Sequence, residues 1–157
     1  MDALHLIIFN LEEARRRSLK VWRALPCELY NWKPKLHNYD CIEIIHHILE
    51  REYQSFLMLQ NKNFMNLNSL PILTNDKNLT IDDILKLYNP YHKQFIELIK
   101  TINPHDLFNV EVDCINIENK RYLGDFLLRL AYHESFHTGQ LVSYLKLANN
   151  NSVLIFD

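Results

Sequence analysis

Glycine is almost missing from this chain: Gly124 and Gly139 are the only two in 157 residues. Phosphate-cradling loops, dinucleotide fingerprints and turn-rich β-sandwiches need glycine where the backbone takes positive φ or approaches a ligand closely, so none of them is expected. A helical fold tolerates the scarcity. Cysteine is nearly as sparse. Cys27, Cys41 and Cys114 are odd in number and lack C-x-x-C spacing, which fits a reducing compartment better than a disulfide framework. Positive charge is not in excess either, because 17 Lys and Arg face 19 Asp and Glu for a net charge of −2. Nucleic-acid binding therefore has no electrostatic footprint, and the run Arg15-Arg16-Arg17, spread over three faces of a helix, reads as a solvated surface feature. No apolar run is long enough to span a membrane. The opening MDALHLIIFNLEEARRR reaches acidic residues at once, with neither a basic start nor a small-residue cleavage site. A cytoplasmic protein without membrane association is the expectation.

What is present points to one helical domain spanning 1–157. The composition, 48% hydrophobic and 23% charged, is that of a soluble globular protein, and the length supports one real core but not two. Leu4, Ile7, Ile8, Leu11, Ala14, Leu19, Trp22 and Leu25 follow helical spacing, so a first helix is expected over 3–25, stopped by Pro26. Asp40 with Glu43 three residues on is a capping box for a second helix reaching to about 60. The Asn-rich stretch NKNFMNLNSLPILTNDKNLT has no clear period and reads as a long connection, a kind of segment that often covers a site. Thr80 with Asp83 signals a third helix over 81–102, ended by Asn103-Pro104. The alternation FNVEVDCINIENKRY predicts a short β-hairpin near 110–117, with strands 110–112 and 115–117. A fourth helix takes 122–148. Four long helices bury their stripes best as an all-α four-helix bundle.

The fourth helix carries the chemistry. Phe126, Leu130, His133, His137, Leu141 and Tyr144 share one stripe, and the two histidines on it are four residues apart. Two imidazoles at i and i+4 lie side by side, close enough to grip one metal ion. Their bland counterpart is a pair of core histidines, but two adjacent imidazoles leave several ring nitrogens in need of partners in a dry place. A catalytic site of this kind takes three protein ligands and keeps one position open. The third ligand is expected from His46-His47 on the second helix. If Ile42, Ile45, Leu49, Tyr53 and Phe56 form the buried stripe, His46 sits at its edge; if Cys41, Ile44, Ile45, Ile48, Glu52 and Ser55 form it, His47 lies nearer the interior. Periodicity leaves both open.

The segment IEIIHHILEREY together with the late His133-Glu134-Ser135-Phe136-His137-Thr138-Gly139-Gln140-Leu141 resembles the DinB/YfiT superfamily over nearly the whole chain. Asn31-Trp32-Lys33-Pro34 and Arg121-Tyr122-Leu123-Gly124-Asp125 are also similar to that family, whereas Tyr39-Asp40 stands where it often has Trp-Ser. The resemblance implies a four-helix bundle with one divalent metal on three histidines. Its earlier motif, matched by Ile44-Ile45-His46-His47-Ile48, selects His47, so the implied ligands are His47, His133 and His137. It further implies a homodimer and, among activities, transfer of a low-molecular-weight thiol to a small-molecule electrophile. The family name records induction by DNA damage, a stress response, and not DNA binding.

Three neutral imidazoles leave the +2 charge of a divalent ion uncompensated, which favours a thiolate or hydroxide nucleophile near neutral pH. Imidazole ligands suit zinc, nickel, copper or iron, with zinc the default because it is common and redox-silent and nickel its main rival. Glu134 and Glu52, at or near inward faces, are candidate catalytic carboxylates or acceptors behind a ligand imidazole, with a plain salt bridge as the alternative. Gln140 and Tyr144 are candidates to hydrogen-bond substrate or bound water, Tyr144 reading also as core. Gly139 costs about 1 kcal/mol in a helix interior, so close packing against another helix is expected there. His5, His37, His92 and His105 fall in polar or unpatterned contexts and are assigned no role. Two other classes compete with a metalloenzyme. One is a non-catalytic metal-binding or interaction bundle, which a fourth protein ligand such as Cys41 would favour. The other is a di-iron carboxylate protein, suggested by Glu43-x-x-His46 and Glu134-x-x-His137.

Overall fold

A computed structural model describes residues 2–35, 39–62, 70–74, 76, 78–112 and 121–148. Four long helices dominate: α1 (Ala3–Arg23), α2 (Cys41–Gln60), α3 (Ile81–Lys100) and, after a short helix α4 (Asp106–Asn109), α5 (Leu123–Leu147). The N-termini of α1, α2 and α3 are set by local chemistry. The Asp2 carboxylate accepts from the His5 amide, and both predicted capping boxes form, Asp40 with Glu43 on α2 and Thr80 with Asp83 on α3. Each satisfies backbone donors that the first helical turn leaves without partners. Pro90 lies inside α3 on its exposed side, where solvent can take the carbonyl that a missing N–H leaves over.

The core falls into two apolar clusters, and their membership gives the topology. One joins the N-terminal half of α1 (Leu4, Ile7, Leu11) to the C-terminal halves of α2 and α3 and to the start of α5 (Leu123, Phe126, Leu127). The other joins the end of α1 (Val21, Trp22) to the beginnings of α2 and α3 and to Leu141, Tyr144 and Leu145 late in α5. Helices α1 and α5 therefore run one way, α2 and α3 the other. Parallel neighbours need a connection that retraces the helix, about 30 Å for 20 residues at 1.5 Å each. That is the physical reason for the long Asn-rich connection between α2 and α3. Each fully buried aliphatic or aromatic side chain in these clusters contributes roughly 1.5–3 kcal/mol of transfer free energy, so the opposed halves hold the bundle at both ends.

A two-stranded antiparallel pair precedes α5, with Glu111 opposite Tyr122 and Val112 opposite Arg121. Its first strand, β1 (Glu111–Val112), lies within the expected 110–112. The partner is β2 (Arg121–Tyr122); the expected strand 115–117 lies outside the described residues. Among the described residues no helix is long and apolar enough to cross a membrane.

The close approach expected at Gly139 is found at Gly124 instead. At Gly124 an added Cβ would stand 3.0 Å from the Leu107 carbonyl oxygen, so a larger residue there would push the first turn of α5 off α4 by a few tenths of an ångström. At Gly139, where close packing was expected, a Cβ would meet nothing within 4 Å. Gly139→Ala should therefore stabilise the protein by about 0.5–1 kcal/mol through lower unfolded-state entropy and better helix propensity. Urea denaturation checks this, and a lower midpoint would show that the position needs glycine.

Candidate metal centre

Between the two apolar clusters lies a layer of polar side chains, and the three histidines occupy one side of it. His133 and His137 share a face of α5, one turn apart, and His47 comes across from α2. His47 Nε2 and His133 Nε2 lie 2.9 Å apart. The ring centroids are 4.6 Å apart for His133 and His137 and 4.9 Å for His47 and His137. One nitrogen from each of the three lies within 4.8 Å of the others, and all three residues are half-buried. Burial is the main cause that pushes His47 down to about 4 and His133 down to about 3, and the neighbouring His137 adds to both. Both imidazoles are thus neutral at pH 7, with lone pairs to offer.

The structure decides between the adjacent histidines of α2. His46 and His47 are both half-buried, so burial does not separate them; direction does. His47 joins α5, whereas His46 turns edge-on to the Tyr88 ring of α3, and its Nε2 is buried without a hydrogen-bond partner among the described residues. Tyr39, from the loop before α2, stacks on His47 with centroids 5.8 Å apart and planes 17° from parallel. Exposed Phe136 sets its ring edge-on to His137 at 5.1 Å. A cavity of about 440 Å³ opens beside the group, lined by Tyr39, His46, His47, Glu50, Arg51 and Ile72 among others. Its volume falls within the range of small-molecule sites.

Gln140 and Tyr144 are turned to the histidines and the core. The Gln140 amide lies 3.0 Å from His137 Nδ1 and donates to the Tyr144 hydroxyl, which reaches the Tyr39 carbonyl at 3.4 Å. Tyr144 is 1% exposed, a core residue as its stripe position suggested.

In the rest of the layer Glu52 and Glu134 take the salt-bridge alternative, while Arg15 and His92 depart from the sequence reading. Arg15 is not a solvated member of a surface run: it is 4% exposed, while Arg16 and Arg17 pair with Glu13 outside. Its Nε and Nη2 donate to the two oxygens of Glu134 at 2.9 and 3.0 Å, and Nη2 lies 3.1 Å from Glu52 Oε1. Its guanidinium carbon also stands 5.4 Å from the centroid of the Trp22 ring. The signal was available, since Arg15 is four residues after Leu11 and three before Ser18, both buried. His92, assigned no role, places Nδ1 3.0 Å from both Glu52 oxygens, and its position between Tyr88 and Phe95 on the buried stripe of α3 marks it as inward. Burial alone would raise the Glu52 pKa, but the charge of Arg15 and the bond to His92 outweigh it and hold the carboxyl below its usual range. Glu52 and Glu134 thus sit in an ion-pair network linking α1, α2, α3 and α5, and neither hydrogen-bonds the three histidines among the described residues.

The di-iron arrangement is not assembled. Glu43 closes the capping box of α2, Glu134 is on Arg15, and among the described residues the three histidines are the one group of His, Cys, Asp or Glu able to hold a metal. Cys41, on α2, is buried and points its thiol at the Trp32 carbonyl, 3.3 Å away; burial pushes it up to about 12, so it stays protonated and outside the histidine group. His37 and Cys114 lie outside the described residues.

The donor set fits a divalent ion. Tetrahedral coordination at about 2.0–2.1 Å puts ligand nitrogens about 3.3 Å apart, bracketed by the separations seen here, so shifts of an ångström or so close the group on a metal. Comparison with known proteins agrees with this fold. No curated protein matches the chain. The crystal structure of a DinB-like protein from Bacillus subtilis superposes with a TM-score of 0.68, covering 95% of each chain at 19% sequence identity, which establishes likeness of fold. The sequence profile of the DinB superfamily matches residues 10–141, most of the chain and all three histidines, and the protein belongs to that superfamily.

Proposed function

We propose that this protein is a metal-dependent enzyme that transfers a low-molecular-weight thiol to an electrophilic carbon, with hydrolysis as the second reading. The observation that carries it is the position of His47, which belongs both to the three-histidine group and to the wall of the adjoining cavity. A divalent ion on three neutral imidazoles supplies a Lewis acid that acidifies a thiol or a water at neutral pH. Zinc is the first choice because it is redox-silent and common, with nickel second.

The chain's own residues supply the remainder. Tyr39 and Phe136 flank the histidines with aromatic surface and limit water there. Arg51, one turn beyond His47 on the same side of α2, brings positive charge to the cavity wall, and Glu50, hydrogen-bonded by Tyr88 and the Leu73 amide, is held against the opposite helix. In this reading Glu134 and Glu52 act as the frame that holds α5 and α2 at the spacing the histidines require. The absence of a fourth Cys, His, Asp or Glu at the group, among the described residues, supports an open position rather than a closed structural site.

In the transfer the thiol sulphur forms a new carbon–sulphur bond, the leaving group departs with its electron pair, and the thiol proton passes to buffer. Protein loaded with zinc or nickel, given L-cysteine or 2-mercaptoethanol and a chromogenic aryl halide, should form thioether at a rate that depends on the metal and falls to background in His47→Ala. Metal-dependent cleavage of a nitrophenyl ester with no thioether formation would move the assignment to hydrolase. Bound metal with neither activity would leave a metal-binding bundle without catalysis.

A further inference from the structure

The hydrogen bonds leading away from His137 have a direction, and it follows from the one member that can act in only one way. The Tyr39 backbone carbonyl is an acceptor alone, so the Tyr144 hydroxyl 3.4 Å away gives its proton there. The hydroxyl oxygen must then accept from Gln140, which fixes the amide with Nε2 toward Tyr144 at 3.0 Å and Oε1 toward His137. An amide oxygen also only accepts, so the 3.0 Å contact at His137 is an Nδ1–H donating to Gln140 Oε1. A neutral imidazole with its proton on Nδ1 has its lone pair on Nε2. We infer that Gln140 and Tyr144 are positioning residues that hold His137 in the Nδ1–H tautomer, with Nε2 free to ligate, and that Tyr39 anchors this relay.

Tyr39 has two roles in this arrangement. Its carbonyl ends the relay from His137, and its ring stacks on His47. One loop residue thus touches the supports of ligands on two helices, so the segment before α2 and the metal centre are ordered together. The sequence marks Gln140 and Tyr144 as candidates to hydrogen-bond substrate or bound water, but helical spacing does not name His137 and the Tyr39 carbonyl as their partners.

The inference rests on the three-histidine centre being a metal site, but tautomer and metal affinity can be read separately. Metal-free protein carrying ¹⁵N-labelled histidine reports the tautomer of His137 by two-bond ¹H–¹⁵N correlation, with the signal assigned by its loss in His137→Ala. Zinc affinity is measured by competition with a chromogenic chelator. The parent should show Nδ1–H. Gln140→Glu, whose carboxylate also accepts from Nδ1, should keep that tautomer and bind zinc within about threefold of the parent. Gln140→Lys, a donor only, should turn His137 to Nε2–H and weaken zinc by about 10–100-fold, the usual cost of losing the partner behind a ligand imidazole. Tyr144→Phe should fall between them. The added charges alone shift zinc affinity in opposite directions, so the tautomer decides: a purely packing role for Gln140 would leave His137 in the same tautomer in the Glu and Lys variants. That result, or an Nε2–H tautomer in the parent, overturns the inference. A parent that binds no zinc, yet shows Nδ1–H and follows the Glu and Lys substitutions, would discard the metal centre and keep the relay.

Discussion

His47→Ala and His137→Ala each lose stoichiometric zinc and nickel, while His46→Ala binds like the parent. The expectation follows from direction rather than from exposure. All three side chains are half-buried, but His47 and His137 contribute nitrogens to one group within 4.8 Å, and His46 faces Tyr88 on the other side of α2. Removing one of three ligands leaves two imidazoles, which hold a divalent ion far more weakly. The loss should exceed the roughly 10–100-fold that follows from removing an outer hydrogen-bond partner. Elemental analysis of tag-free protein after reconstitution and desalting, at one metal per chain in the parent, reads this directly. The two α2 variants also serve as controls for one another, since each removes an imidazole from adjacent positions of the same helix. Metal lost with His46→Ala and kept with His47→Ala would reverse the assignment. Metal retained in His137→Ala would remove the three-histidine centre altogether.

Arg15→Met should cost about 3–5 kcal/mol of folding stability. Methionine has nearly the length to fill the space, so the loss is mainly electrostatic. Arg15 pairs with Glu134 and Glu52 in a layer where all three side chains are nearly or fully buried. Without the guanidinium, two carboxylates are left in low dielectric, with His92 Nδ1 3.0 Å from Glu52 as a neighbour able to take positive charge. The substitution also removes the cation over the Trp22 ring. For a domain of this size, a melting temperature lower by about 6–20 °C is the corresponding reading. The triple variant Arg15→Met, Glu52→Gln, Glu134→Gln should recover much of the loss, because it removes the uncompensated charges along with their partner. A urea midpoint unchanged in Arg15→Met would mean that the network is no more than a replaceable polar filler. The network also joins four helices, so metal affinity measured on the same variant tests whether it holds α5 and α2 at the spacing the histidines use.

Much of this protein can be read along the chain because it depends on neighbours in sequence. Helix starts at Asp40 and Thr80 follow from side chains three residues apart, and they form as read. His133 and His137 are brought together by helical pitch alone, before any tertiary contact exists. The scarcity of glycine already excluded the folds that need positive φ. What lies across helices was not legible in the same way. Arg15, Glu52, His92 and Glu134 are each a single polar residue on an apolar stripe, and a periodic pattern records such a residue as an interruption without naming its partner. The choice between His46 and His47 was of the same kind: α2 is apolar on two sides because it packs against both α3 and α5, so hydrophobic spacing cannot say which side meets which helix. Gly124 and Gly139 differ only in whether a backbone carbonyl from another element approaches them. Pitch and capping are properties of a segment, determined by the sequence itself. The family motif already points to His47 over His46, but which buried charge meets which is set by how the four helices are packed, and only the tertiary structure decides it.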